Sequence, residues 1–149
     1  PANPAYDTAT TGQFNCDLRT ATGTVTNIFW TIARLPARYL NGSNLTLSVD
    51  DIYTLGGDAV IVTSTIDLEA FLYDTTAADF STSDVCATTV QSIAATVATD
   101  SFTITGTTLA AGDTILLRFT SVVQITSAGG SGTGINGFNN FKYTATVMV

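Results

Sequence analysis

Histidine is absent from this chain of 149 residues. With it go the commonest general base at neutral pH, the usual nucleophile–histidine triads and the familiar zinc ligand sets. Basic residues are few: five Lys and Arg stand against twelve Asp and Glu, for a net charge of −7. Arg19, Arg34, Arg38, Arg118 and Lys142 are scattered and form no stripe. Nucleic-acid affinity depends on such residues neutralising phosphates, so no nucleic-acid partner is expected. An anionic membrane surface would repel the chain. No apolar run approaches the about 18 residues that suggest a spanning helix. The first residues lack the charged and apolar regions of a secretory signal. Pro1-Ala2-Asn3-Pro4 suits the mature start of a cytosolic product, and a cleaved secretory precursor would begin the same way. Cysteine is limited to Cys16 and Cys86. An exported protein could join them. A cytosolic one, with a core large enough to need no staple, keeps them reduced and apart, which is the expectation here.

What is present is a strand grammar. Threonine makes up about one residue in five, and β-branched and aromatic residues fit a pleated, half-buried surface. Residues 25–35 place Ile28, Trp30 and Ile32 on one face and Phe29, Thr31 and Ala33 on the other, and Pro36 stops the strand. Asn41-Gly42 marks a turn before the alternating Leu45, Leu47 and Val49, and Gly56-Gly57-Asp58 marks the next. Residues 60–73 put Val62, Ser64, Ile66, Leu68, Ala70 and Leu72 on one face, with Thr63, Thr65, Asp67 and Glu69 on a wet opposite face. Further strands are predicted at 88–93, 101–105, 114–126 and 141–149, with a polar loop at 74–84, a corner at 109–113 and a Gly/Ser loop at 129–137. About eight strands without a long amphipathic helix predict an all-β, antiparallel two-sheet sandwich of jelly-roll type. Residues 1–12 read as an arm and 13–149 as a single sandwich domain. Shared parity predicts Trp30, Ile66, Leu68, Phe102, Ile104, Leu117 and Phe119 in one core.

Candidate chemistry is thin. Asp67 and Glu69 point the same way from one strand, as paired glycosidase carboxylates do, but no neighbouring residues in the sequence supply the apolar pocket that would raise the pKa of one of them, and a solvated strand face is the plainer reading. Asp50, Asp51 and Asp58 lack the spacing of a calcium loop. The run from Gly129 to Gly134 lacks the Lys and the helix of a phosphate loop. Trp30, Tyr39, Tyr53 and Tyr73 could form a sugar platform, yet the alternation of Trp30 with Ile28 and Ile32 favours core packing. Asn41-Gly42-Ser43 and Asn44-Leu45-Thr46 match glycosylation sequons, which matter only in a secreted protein. No catalytic residue, metal ligand or cofactor site is assigned.

Three blocks carry a resemblance: Phe29-Trp30 with Arg34-Leu35-Pro36 and Tyr39; Phe71-Leu72-Tyr73 with Asp84-Val85-Cys86-Ala87-Thr88; and Phe102-Thr103-Ile104 with Leu109, Ala111-Gly112-Asp113 and Arg118. In pattern and order the chain resembles the small jelly-roll decoration, or cement, proteins of tailed-bacteriophage capsids. The resemblance implies a structural virion protein without enzymatic activity. It would be made in the host cytoplasm, sit on the capsid exterior as a dimer or trimer, and lock major capsid subunits together. Arms and open loops are contact elements in that family. Pro1, Ala2, Asn3, Pro4 and Tyr6 of the arm, and Gly129, Gly130, Ser131, Gly132, Gly134 and Asn136 of the loop, are therefore the expected partner-binding residues. The alternative is a carbohydrate-binding or fibre-head module on the same fold.

Overall fold

The computed structural model describes residues 22–148 together with the backbone of two strands before them, Ala5–Asp7 and Gln13–Leu18. Among the described residues there are ten strands: β1 Ala5–Asp7, β2 Gln13–Leu18, β3 Gly23–Arg34, β4 Leu45–Gly56, β5 Ala59–Asp74, β6 Asp79–Phe80, β7 Gln91–Ser92, β8 Ala98–Ile104, β9 Thr114–Ser127 and β10 Thr133–Ala145. Two of these, β6 and β7, are two-residue pieces. One sheet has the order β1-β2-β10-β4-β8 and the other β3-β9-β5-β6, and every pairing is antiparallel. From β2 to β5, and again from β8 to β10, each connection carries the chain from one sheet to the other. The result is the predicted two-sheet sandwich of jelly-roll type. Pro1, Ala2, Asn3 and Pro4 lie outside the described residues. Of the expected arm, Ala5–Asp7 pairs with β2, placing Tyr6 opposite Phe14 on the sheet edge.

The core lies between the sheets. Leu45, Leu47 and Val49 from β4, Ile66, Leu68 and Ala70 from β5, Phe102 and Ile104 from β8, Ile115, Leu117 and Phe119 from β9, and Phe138 from β10 are all buried. Six of the seven predicted core residues are among them, and Trp30 is not: it is 52% exposed, beside Ile28 and Ile32. The parity of β3 was read correctly but its sense is reversed. Phe29 stacks on Phe119, with centroids 4.8 Å apart, while Trp30 lies opposite Arg118. A guanidinium resists burial, so the face that carries Arg118 must be the outer one.

Two bulges also reset parity. A register shift between Ile61 and Thr63 turns Val62 outward to 53% exposure and leaves Ile61 partly buried. A second lies between Asn139 and Lys142, where Asn140 takes a positive φ of 50° and its Nδ2 donates to Asp50 Oδ2 at 2.7 Å. An extra residue in one strand swaps the faces of everything beyond it. The segment predicted as a strand at 88–93 is mostly irregular, with β7 alone paired, to β5.

The Gly/Ser loop is shorter than the 129–137 expected, because β10 begins at Thr133. Gly134 and Asn136 are buried inside the sheet. Asn136 joins the two sheets: Ser64 Oγ donates to its Oδ1 at 2.7 Å, and its Nδ2 donates to Ser121 Oγ at 3.0 Å and the Val122 carbonyl at 3.1 Å. The loop also has an internal source of order. The Ser127 hydroxyl and the Gly129 amide donate to Asp58, with Ser131 Oγ 3.4 Å away. The Ser127 and Gly129 donors hold the Asp58 carboxyl below its ordinary value. Gly57, at φ +65°, makes the turn that presents Asp58, and a side chain there would meet the Ser131 carbonyl. Cys86 is a half-buried free thiol whose Sγ lies 3.7 Å from the Thr88 carbonyl, and burial pushes it up to about 11. The side chain of Cys16 is outside the described residues.

Asp51, like Asn27 and Asp100, brings unpartnered polar atoms into this interior. It is 1% exposed, and neither carboxylate oxygen has a donor. Burial, then the charge of Asp100 on β8, raise it to about 7. The folded chain therefore holds a proton that the unfolded chain, with an Asp near ~4, has released. Stability should fall as pH rises from about 4 to about 7 and then level off, and Asp51→Asn should flatten that slope, as followed by thermal unfolding across pH. Equal slopes in both proteins would show that Asp51 is not the group responsible. Leu117→Ala, which opens a cavity against Phe119 and Leu47 in this core, should cost about 2–5 kcal/mol in denaturant unfolding.

Candidate functional site

β3 is the end strand of its sheet, and β2 pairs with β10 only from Gly134 to Phe138. Beyond the Asn140 bulge, the final part of β10 faces β3 across one flank of the sandwich. A cleft of about 560 Å³ lies there, lined by β3 from Phe29 to Arg34, by Leu47, Leu117 and Phe119 at its floor, and by Phe141, Lys142 and Tyr143. Its rim holds two half-exposed aromatics, Trp30 at 52% and Tyr143 at 53%. Below them Phe141 meets Phe119 edge to face, with centroids 5.3 Å apart. The bulge brings Tyr143 to the rim and Phe141 into the core edge.

The outer face of β3-β9-β5 continues from this rim. Register places Trp30, Arg118 and Glu69 in one row, Ile28, Thr120 and Asp67 in the next, and Ile32, Leu116 and Phe71 on the other side. Arg118 donates to Glu69 in an ion pair, and its guanidinium carbon lies 5.4 Å from the Trp30 ring and 5.5 Å from the Phe71 ring. The pair is partly exposed, so it adds at most about 1 kcal/mol. Its structural effect is to fix the Trp30 ring in place through the cation–π contact. Burial, then the Glu69 charge, raise the Asp67 carboxyl above its ordinary value. Asp67 and Glu69 share one face as predicted, but Glu69 is engaged by Arg118.

The sequence-derived groupings mostly disperse. Tyr39 is fully buried, Tyr53 packs against the core and Tyr73 meets Phe80 edge to face, so of the four proposed platform aromatics Trp30 alone stands at the cleft. Asp50 accepts from Thr99 and Asn140, Asp51 faces the interior and Asp58 braces the hairpin loop, and no acidic or cysteine group suited to a metal ion occurs among the described residues. The run from Gly129 to Gly132 is a hairpin loop on Asp58. Asn41 and Asn44 of the two sequons use Oδ1 to accept from the Ala111 and Gly106 amides, at 2.8 and 2.9 Å. Tyr143 was legible only as a strand residue. The signal for its position is Asn140, a residue that tolerates positive φ, just before the last aromatic pair.

The sequence matches no protein-family model and no curated protein. Among solved structures, a chain described as "CBM4 structure and function", a carbohydrate-binding module, is similar, with a TM-score of 0.47 and 10% sequence identity over 92% of this chain and 86% of that one. The likeness is a loose one of chain course. The resemblance to capsid decoration proteins gains no support from these comparisons.

Trp30 is the chain's single tryptophan, which makes its placement directly measurable. Its fluorescence should show the red-shifted emission of a solvent-contacting indole and be quenched by added acrylamide. A blue-shifted, protected emission would return Trp30 to the core.

Proposed function

We propose that the chain is a non-catalytic carbohydrate-binding module whose ligand lies along the flank cleft between β3 and the end of β10. The observation that carries this reading is the exposure of Trp30. The largest apolar side chain of the protein stands half in solvent, its ring held by Arg118, across an apolar cleft from Tyr143. An aromatic face carries partial negative charge and suits the C–H face of a pyranose ring. The cleft volume falls within the roughly 300–1,000 Å³ usual for ligand sites, and Thr31, Arg34, Lys142 and Tyr143 are the lining residues that carry polar groups. Affinity electrophoresis against soluble polysaccharides should show retardation. Trp30→Ala should weaken it by about tenfold or more, equivalent to ~1.4 kcal/mol, without lowering the unfolding temperature. Retardation that survives Trp30→Ala unchanged would remove the cleft from the reading.

A second reading is favoured by the same edge. β3 is a long terminal strand with Ile28, Trp30 and Ile32 exposed, the kind of surface that docks another protein. In this reading the chain is a capsid decoration subunit, with a major capsid protein and sister copies as partners on the virion exterior. It requires that Trp30→Ala lower occupancy on capsids while leaving polysaccharide behaviour unaffected.

A further inference from the structure

The chain carries a net charge of −7, yet among the described residues its cleft is lined by two cationic side chains, Arg34 and Lys142, and by no Asp or Glu. Arg118, which touches the Trp30 ring, has Glu69 as its partner. Arg34 and Lys142 differ from it. Among the described residues neither has a carboxylate within ion-pair distance. Arg34 is exposed at the end of β3 and lines the cleft, and its guanidinium Nε donates to the Gly112 carbonyl at 3.3 Å, which leaves the two terminal nitrogens as further donors. Lys142 acts on Asp50 only through space. Thr99 and Asn140 do most to hold the Asp50 carboxyl low, and Lys142 contributes least.

We infer that the glycan of this cleft is anionic: a polysaccharide whose sugar units bear carboxylates, with Arg34 and Lys142 receiving the carboxylate charge and Trp30 facing the ring. The inference rests on the carbohydrate-binding reading and names its substrate class. Three physical reasons support it. A cationic site walled by apolar residues focuses its field into the cleft, and the acidic remainder of the surface repels anions elsewhere. Arginine presents a planar fork that matches a carboxylate in two parallel hydrogen bonds. A carboxylate would give Arg34 the ion-pair partner it lacks and would add to the through-space attraction that Lys142 has to Asp50.

The test compares polygalacturonate with its fully methyl-esterified form, which differs only at the carboxylate, with dextran sulfate and a neutral glucan as further arms. Titration calorimetry and affinity electrophoresis are the readouts. Polygalacturonate should bind, and esterification should weaken binding about tenfold or more. Added salt should weaken the carboxylated arm selectively. The double variant Arg34→Gln, Lys142→Gln changes two exposed side chains and should bring polygalacturonate down to the level of its ester. Trp30→Ala should weaken both. Equal affinity for polygalacturonate and its ester would overturn the inference, and because that comparison changes the ligand alone, it does not depend on how any variant folds. Tighter binding of dextran sulfate would overturn the carboxylate assignment. Binding of neutral glucan that needs Trp30, with no preference for polygalacturonate, would overturn the inference and leave the carbohydrate-binding reading standing. Failure of every polymer to bind would overturn both.

Discussion

A single guanidinium in the middle of a central strand decides which way this sandwich faces. β9 is paired on both sides, to β3 and to β5. Its even-numbered residues include Arg118 and its odd-numbered ones Ile115, Leu117 and Phe119. Burying Arg118 together with its register partner Glu69 would strip water from two charges, a penalty of several kcal/mol per ion that their attraction need not repay. Once Arg118 is outside, antiparallel register commits Trp30, Glu69 and Phe71 to the same face. The exposed indole, the ion pair and the two ring contacts all follow from that choice.

The flank then acquires its shape from what each sheet leaves unfinished. β3 terminates one sheet, and β2 stops pairing with β10 before the bulge at Asn140. The bulge swaps the faces of β10, so that Phe141 and Tyr143 come to the edge of the core on the flank beside β3. Ring-on-ring packing of Phe29, Phe119 and Phe141 closes the bottom of the cleft and supports the β3 backbone beneath Trp30. A rim built on paired strands is held more firmly than one built on loops.

The interior is not uniformly apolar, and its polar members divide into two kinds. Asn136 has its donors and acceptor matched by Ser64, Ser121 and Val122, so it fastens one sheet to the other at little cost. Asp51 has no donor and shares the inner face with Asp100. It retains a proton to remain there, which ties the stability of the fold to pH. Neither lines the cleft, so the inter-sheet anchoring and the cleft are separate parts of the molecule.

Much of the fold was legible in the residues alone. Alternation over residues 60–73 and 114–126 gave the two long central strands. Phe102 with Ile104, and Leu45 with Leu47 and Val49, gave the inner face of the other sheet. Period-2 patterns record which residues share a face because the backbone is pleated. They do not record which face is inside when both are apolar, and β3 has Phe29 on one side and Trp30 on the other. They also fail at bulges, since one extra residue inverts parity without altering composition, as at Val62 and after Asn140. The site was less legible still, because Trp30, Tyr143, Arg34 and Lys142 come from two strands far apart in the chain. The sequence by itself determined an all-β sandwich, its main core residues and the poverty of its catalytic chemistry. Tertiary structure alone decided that Trp30 faces solvent and that the cleft is lined by cations. Cross-strand register, and the cost of burying Arg118, exist only once β3, β9 and β5 are side by side.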